Sequence, residues 1–299
     1  MKKAILSILL AFVFVLQLPV ATFAQDNVGD IKNDYYSEQE TKWGATSISI
    51  IDSPEIAERY SRILMQKGLD LVSVTKQTVY VLETIDQNGN FSESRLMSED
   101  EVARYREQID MNLKSTRNTW VGEDNETHQG GKLSIYLVVY KDSSRNYYAY
   151  GTADWENGVY FGGENGPASG YDFFAITWGG GGELKTSDRS ISGMYQYGQG
   201  GISFSRAESD TYRGYCWQFN ERKSNYFADY IDGYVKLAKT YSTYKAKETN
   251  VRLTYVHTYQ DTVGSIYFEG GTGGAAAGVG LSNCSKQWQI QIDVPSIYY

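Results

Sequence analysis

From residue 132 onward, hydrophobic and polar residues alternate over short stretches, which is the period of β-strands. The clearest stretch lies near the C-terminus, where Trp288, Ile290 and Ile292 share one face and the residues between them are glutamines. Similar segments, separated by clusters of Gly, Asn, Asp and Ser, predict strands at 133–141, 147–155, 171–178, 191–197, 202–206, 212–220, 230–240, 251–260, 265–268, 275–281 and 287–294. No helical period interrupts them. The pattern therefore predicts a mainly β fold, with an antiparallel β-sandwich or jelly-roll-like domain over residues 132–299.

Two of these segments, 230–240 and 251–260, are long and are joined by a connection rich in Lys and Thr. Neighbours in sequence usually pair in antiparallel sheets. We expect these two segments to form a long hairpin.

The preceding region, residues 53–115, has mixed periodicity and predicts a small α+β unit. Ser53 and Pro54 open a helical pattern that Gly68 ends, and Ser98 with Glu101 forms a capping box for a second helix to about residue 114. Between them, strand patterns at 69–75, 77–85 and 91–96 flank a turn rich in Asp and Asn. Residues 116–131 are polar and unpatterned, which predicts a linker.

The first 24 residues have the pattern of a secretory signal peptide. Lys2 and Lys3 precede an apolar run, and the small residues around Ala24 suit cleavage there. A retained membrane anchor is the alternative, but Pro19 favours cleavage, so we expect a secreted, extracellular protein with no stable membrane anchor after processing. Residues 25–52 are polar and predict a disordered leader.

Composition restricts the partners. The formal net charge is -8, and phosphate binding relies on Lys and Arg, so nucleic acid is not an expected partner. Cys216 and Cys284 are the only cysteines. In an oxidising compartment they could form one disulfide or remain two ordinary small residues.

No motif predicts catalysis. The chain has two histidines; we expect His257 to be packed among aromatic residues and His128 to be exposed in the linker. Neither has nearby ligands in sequence that would form a zinc site. We predict no cofactor, no metal and no catalytic residue.

Two alternatives remain open. A glycoside-acting enzyme needs only a pair of Asp or Glu side chains, and the predicted loops contain several acids that the sequence cannot pair. A pore-forming or membrane-active toxin could insert a hairpin, and residues 263–281 alternate in part, although glycines interrupt the pattern.

Aromatic residues carry the preferred functional interpretation. Tyr147, Tyr148 and Tyr150 cannot all face the same side of a strand, so some of the 26 tyrosines must leave the core. Aromatic rings beside Asn, Asp and Gln suit sugar rings. The candidates for ligand binding are Trp155, Trp178, Tyr148, Tyr195 and Tyr197. We expect a non-catalytic binding protein for a glycan or a cell-envelope surface.

Overall fold

A computed structural model describes residues 37–40, 46–51, 68–88, 91–104, 107, 119–121, 127–155, 171–179, 182–224, 226–240, 247–259, 264–271 and 274–299. Its strands are, in chain order, β1 (Ser37–Glu40), β2 (Thr46–Ile51), β3 (Leu69–Ile85), β4 (Phe91–Leu96), β5 (Thr119–Val121), β6 (Thr127–Asp142), β7 (Tyr147–Trp155), β8 (Tyr171–Trp178), β9 (Leu184–Tyr195), β10 (Phe204–Asp210), β11 (Gly214–Asn220), β12 (Arg222–Lys223), β13 (Tyr226–Lys239), β14 (Glu248–Thr258), β15 (Ile266–Gly270), β16 (Ala277–Leu281) and β17 (Gln287–Tyr298).

Two antiparallel sheets form a sandwich, which confirms the predicted mainly β fold. Within the described residues, the larger sheet, sheet 1, has ten strands in the order β1-β2-β3-β6-β7-β13-β12, with β4 beside β3, β5 beside β6 and β9 beside β13. Sheet 2 has five strands in the order β10-β11-β8-β14-β17. Strands β15 and β16 form a separate hairpin.

The core lies between the sheets and follows the alternation of the strands. On β6, the odd-numbered residues from Leu133 to Val139 are buried in this core, as are the corresponding residues of β17 from Trp288 to Val294. Gly151 and Gly233 lie opposite each other on β7 and β13, and Phe174 of sheet 2 packs over both. A Cβ atom at Gly233 would lie 2.9 Å from Phe174 Cε1, so glycine permits the close approach of the two sheets here.

The outer face of sheet 2 is covered by the β15–β16 hairpin. Ile266 and Val279 of the hairpin are buried against Phe173, Cys216 and Val256. This second layer explains why both faces of β14 are buried, although strands with one solvated face alternate in burial.

The expected hairpin between residues 230–240 and 251–260 is wrong. β13 pairs with β7 and β9 in sheet 1, whereas β14 pairs with β8 and β17 in sheet 2. The connection therefore crosses from one sheet to the other, because each strand buries its hydrophobic face against the opposite side of the same core.

The N-terminal region contributes to sheet 1. The segments 69–75 and 77–85 form one strand, β3, which pairs with β6 along most of its length. Residues 127–131, predicted as linker, belong to β6, so the predicted boundary at residue 131 falls inside a strand. Parts of the predicted disordered leader are also strands, since β1 pairs with β2 and β2 with β3. Backbone pairing joins these two segments to the edge of sheet 1.

The prediction that His128 is exposed in a linker is also wrong. His128 is buried on β6, and its Nδ1 lies 3.2 Å from Thr84 Oγ1, so it is not an exposed linker residue. The strand places it opposite Thr84 on β3.

The capping box is confirmed. Ser98 N donates to Glu101 Oε2 at 2.9 Å, and Glu101 N donates back to Ser98 Oγ, at the start of a helical segment over residues 99–104. The predicted signal peptide, the helix over residues 53–67 and most of the second helix lie outside the described residues. Among the residues described, no helix has the length and apolar character needed to cross a membrane.

Candidate functional site

Tyrosines gather on the outer face of sheet 1. While the odd-numbered residues of β6 enter the core, Tyr136 and Tyr140 point the opposite way. The same parity places tyrosines of β7 and β13 on this face. We call the set the outer tyrosine face; it consists of Tyr136, Tyr140, Tyr148, Tyr150, Tyr230 and Tyr234.

Strand register places four of these tyrosines opposite one another in two pairs, while Tyr136 lies opposite Thr152 and Tyr230 opposite Asp154. Tyr140 lies opposite Tyr148, and their rings stack with centroids 4.9 Å apart. Tyr150 lies opposite Tyr234 in the next row. Because β6, β7 and β13 are adjacent in the middle of sheet 1, the rings occupy one continuous area of a hydrogen-bonded scaffold.

Charged side chains lie among the rings. Lys236 Nζ lies 5.0 Å from the ring centroid of Tyr148 and 3.8 Å from Asp142 Oδ2. The Tyr148 hydroxyl donates to the same carboxylate oxygen at 3.1 Å. Elsewhere on the face, the Tyr234 hydroxyl donates to Asp188 Oδ2 at 2.9 Å. The face therefore offers flat apolar rings with hydrogen-bonding groups at their edges.

Asp232 is the most perturbed acid of this face. Burial raises its pKa to about 6, although hydrogen bonds from Tyr150 and Thr152 act in the opposite direction. Thr152 Oγ1 donates to Asp232 Oδ1 at 2.9 Å. Near neutral pH this carboxylate accepts hydrogen bonds beside half-buried rings.

The five predicted ligand-binding aromatics do not share one open face. Trp155 and Trp178 are 2% and 0% exposed and lie in the core between the sheets. Tyr195 also lies in that core, and its hydroxyl donates to Asn220 O at 2.9 Å. Trp155 and Trp178 face inward like Ala153 and Ile176, which lie two residues before them in their strands. Tyr148 lies on the outer tyrosine face but is covered by its neighbours, at 6% exposure.

Tyr197 is the one predicted aromatic that is fully exposed, at 81%. It lies in the 3-10 turn Gln196–Gly198 with a φ of 56°, which is unusual for tyrosine. Its ring meets that of Tyr226 edge-on, with centroids 6.4 Å apart. In the chain, this turn comes shortly after Met194, which lies opposite Tyr230 of the outer tyrosine face. Tyr197 therefore follows, by three residues, a strand position that neighbours this face.

A second feature, the buried ionisable cluster, lies between the sheets and consists of Glu83, Asp172, Glu221 and His257. His257 Nδ1 lies 3.2 Å from Asp172 Oδ2 and 3.1 Å from Glu221 Oε2. The Tyr255 hydroxyl donates to Asp172 Oδ2 at 2.7 Å. All of these side chains are buried. Asp172, Glu221 and His257 present one donor atom each within 4.8 Å of one another, so they could hold a metal ion.

Burial and mutual electrostatic interactions shift the pKa values of the groups in this cluster. Burial raises the pKa of Glu83 well above its usual range and that of Glu221 to about 7. Burial acts to lower the pKa of His257, but the carboxylates of Glu221 and Asp172 outweigh it and raise that pKa well above its usual value. The two neighbouring acids therefore favour the protonated form of the His257 ring.

The two cysteines are not bonded to each other. Cys216 is buried beneath the β15–β16 hairpin, and Cys284 is a partly exposed free thiol. Its neighbour Trp217 packs in the core between the sheets, so Cys216 faces the outer side of sheet 2.

Sequence reasoning missed Glu83 and Glu221 of the buried cluster, although a signal was present for Glu83. Glu83 has the same parity on β3 as the buried residues Val79 and Val81. An acid on the inward face of a strand is rare unless it is paired. His257 was expected to be packed, and it is, but its acidic partners come from other strands and cannot be read from local sequence.

No protein-family model and no curated protein matches this chain. Among solved structures, it is similar to the T6 backbone pilin of serotype M6 Streptococcus pyogenes, at 7% identity over 73% of this chain and 61% of that chain, with a TM-score of 0.31. It is also similar to the KRT10-binding region domain of the pneumococcal serine rich repeat protein PsrP, at 11% identity over 61% of this chain and 86% of that chain, with a TM-score of 0.24. The chain thus spans 61% of the pilin's length. At these TM-scores the fold assignment rests on the strand pairing alone.

Proposed function

We propose that this protein is a secreted, non-catalytic binding protein that binds a cell-surface glycan on the outer tyrosine face of sheet 1. The observation that supports the proposal is the gathering of tyrosine rings on one face of β6, β7 and β13, with acids and lysines at their edges. Export is supported by the signal-peptide pattern of the first 24 residues.

The chemistry of the face suits sugars. The CH faces of a pyranose ring pack on aromatic rings, while its hydroxyls need donors and acceptors at the ring edge. Tyr136, Tyr150 and Tyr230 are half-buried, so their rings are held in place while part of each remains accessible. Asp232 and Lys236 lie in the same rows and supply an acceptor and a donor.

The rigidity of the scaffold favours binding. Each tyrosine is anchored on a strand that is paired on both sides, so little side-chain and backbone freedom remains to be lost when a ligand binds. A face of this kind would bind an extended saccharide chain across several rings rather than enclose a small molecule.

A glycan array, followed by calorimetric titration with the best-binding oligosaccharide, tests this function. We expect Tyr136→Ala and Tyr150→Ala each to weaken binding about tenfold, which corresponds to about 1.4 kcal/mol. The matched control is Tyr212→Ala, an exposed tyrosine in a turn next to sheet 2, which should bind like the wild type. Circular dichroism confirms that each variant is folded. The proposal fails if no glycan binds, or if all three variants bind equally well.

A further inference from the structure

Three donor atoms of the buried ionisable cluster have the spacing of metal ligands. Four ligands at the bond lengths of zinc lie about 3.3–3.6 Å from one another in a tetrahedral site. His257 Nδ1 lies 3.1 Å from Glu221 Oε2 and 3.2 Å from Asp172 Oδ2. A small shift of each side chain away from the others would leave room for an ion at their centre.

Glu83 gives a second, independent indication. Its side chain is buried, and its Oε1 has no hydrogen-bond partner among the residues described. The carboxyl group interacts electrostatically with His257, Glu221 and Asp172. Buried polar atoms are almost always paired, so an unpaired oxygen on a buried carboxyl group that interacts with the other three groups indicates a missing partner.

Strand geometry fixes these four side chains from both halves of the sandwich. Asp172 and His257 lie on β8 and β14, which are neighbours in sheet 2, and Glu221 follows β11 on the other side of β8. Glu83 enters from β3 of sheet 1, where it lies opposite Ser94. An ion held here would link the two sheets.

The surrounding contacts hold the ligands in place. Thr258 N donates to Asp172 Oδ1 at 3.1 Å, and the Tyr255 hydroxyl donates to its Oδ2. The His257 ring lies 4.9 Å from that of Trp288, whose Nε1 donates to Ser94 Oγ at 2.9 Å. Ligands oriented by such neighbours are typical of metal sites.

We propose that Asp172, Glu221, His257 and Glu83 form a structural site for a divalent transition metal ion, best matched by Zn²⁺. The donor set of one imidazole and three carboxylates suits Zn²⁺ or Mn²⁺ rather than a soft metal. Complete burial leaves no open position for a substrate, so the ion stabilises the fold and takes no part in catalysis. The site lies between the sheets and is independent of binding at the outer tyrosine face.

Metal binding to the purified protein tests the site. Because the ligands are buried, the protein is unfolded in urea with a chelator, freed of both, and refolded with Zn²⁺, Co²⁺ or no metal. We expect one equivalent of Zn²⁺ by elemental analysis, a rise in Tm relative to the metal-free protein, and visible absorption bands from tetrahedral Co²⁺. Absence of bound metal together with an unchanged Tm overturns the proposal, and this result needs no variant.

A substitution at Glu83 tests whether this residue is one of the metal ligands. Glu83→Gln keeps the size of the side chain and should fold, but we expect it to lower Zn²⁺ affinity at least tenfold. Glu269→Gln, on the exposed β15, is the matched control and should bind Zn²⁺ like the wild type. Equal affinity of the Glu83→Gln variant and the wild type would contradict the four-ligand site.

Discussion

Tyr140 and Tyr148 lie directly opposite each other on β6 and β7, with their ring planes 3° apart and their centroids 4.9 Å apart. The stack continues to Lys236, which lies over the Tyr148 ring and opposite Tyr148 on β13. Cross-strand aromatic pairs stabilise antiparallel sheets. The same contacts that hold the sheet together therefore also fix the geometry of the outer tyrosine face.

Two substitutions at Tyr148 separate its ring from its hydroxyl. We expect Tyr148→Phe to lower the free energy of unfolding by about 1 kcal/mol, because the ring stays and only the hydroxyl contacts with Asp142 and Lys236 are lost. Tyr148→Ala should lower it by about 3 kcal/mol, because the stack and the buried ring are lost as well. Urea unfolding measures both values, and equal losses would show that the stack contributes nothing.

Gly233 should not tolerate a side chain. We expect Gly233→Ala to destabilise the protein by about 1–3 kcal/mol, because its methyl group would meet the Phe174 ring at 2.9 Å in a packed core. Gly278→Ala is the matched control within a strand, since its nearest contact would be 3.8 Å away. Thermal unfolding compares the two, and a tolerated Gly233→Ala would contradict the close approach of the sheets.

Asp232 should make stability depend on pH. Its pKa is raised from 3.8 to about 6 in the folded protein, so the folded state binds the proton more tightly than the unfolded state. The stabilising contribution of the protonated form is therefore complete below pH 4 and lost as the pH rises toward 6. Because the side chain is only half-buried and partly screened by solvent, we expect a loss of about 1 kcal/mol.

The Asp232→Asn variant isolates this contribution, since its amide oxygen can still accept the bond from Thr152. Urea unfolding of both proteins at several values between pH 4 and 7 should show the wild type losing about 1 kcal/mol more than the variant. Parallel pH profiles would contradict the raised pKa.

The two free thiols should differ in reactivity. A thiol reagent should modify Cys284 in the native protein, because that residue is partly exposed, and should reach Cys216 only after unfolding. Burial also raises the pKa of Cys216, which reduces the thiolate available for reaction. Detection of no free thiol in the denatured, unreduced protein would instead indicate the disulfide that the structure lacks.

Alternation predicted which face of a strand is buried but not which strands meet. β17 buries the residues that its pattern indicated, from Trp288 to Val294. The pairing of 230–240 with 251–260 failed because both segments have one hydrophobic face, and that property does not distinguish pairing in one sheet from packing across the core. The His128 prediction failed for a related reason, since β6 extends beyond its hydrophobic residues.

The candidate sites were only partly predictable. Tyr147, Tyr148 and Tyr150 cannot all face the same side of a strand, which correctly indicated that some rings leave the core. Tyr147 faces inward, and the other two lie on the outer face. Trp155 and Trp178 could not be classified by residue type, because large rings also fill the space between sheets. The buried ionisable cluster unites residues distant in sequence, so only the register of several strands brings them together.

Protection of tyrosines from nitration by a bound glycan tests the central claim most directly. The protein is treated with tetranitromethane with and without a saturating amount of the oligosaccharide that binds best on the array, and modified residues are identified by mass spectrometry. We predict that the ligand protects Tyr136, Tyr150 and Tyr230 and leaves the exposed Tyr212 and Tyr267 unprotected. Protection of Tyr212 or Tyr267, with no change on the outer tyrosine face, would contradict the account.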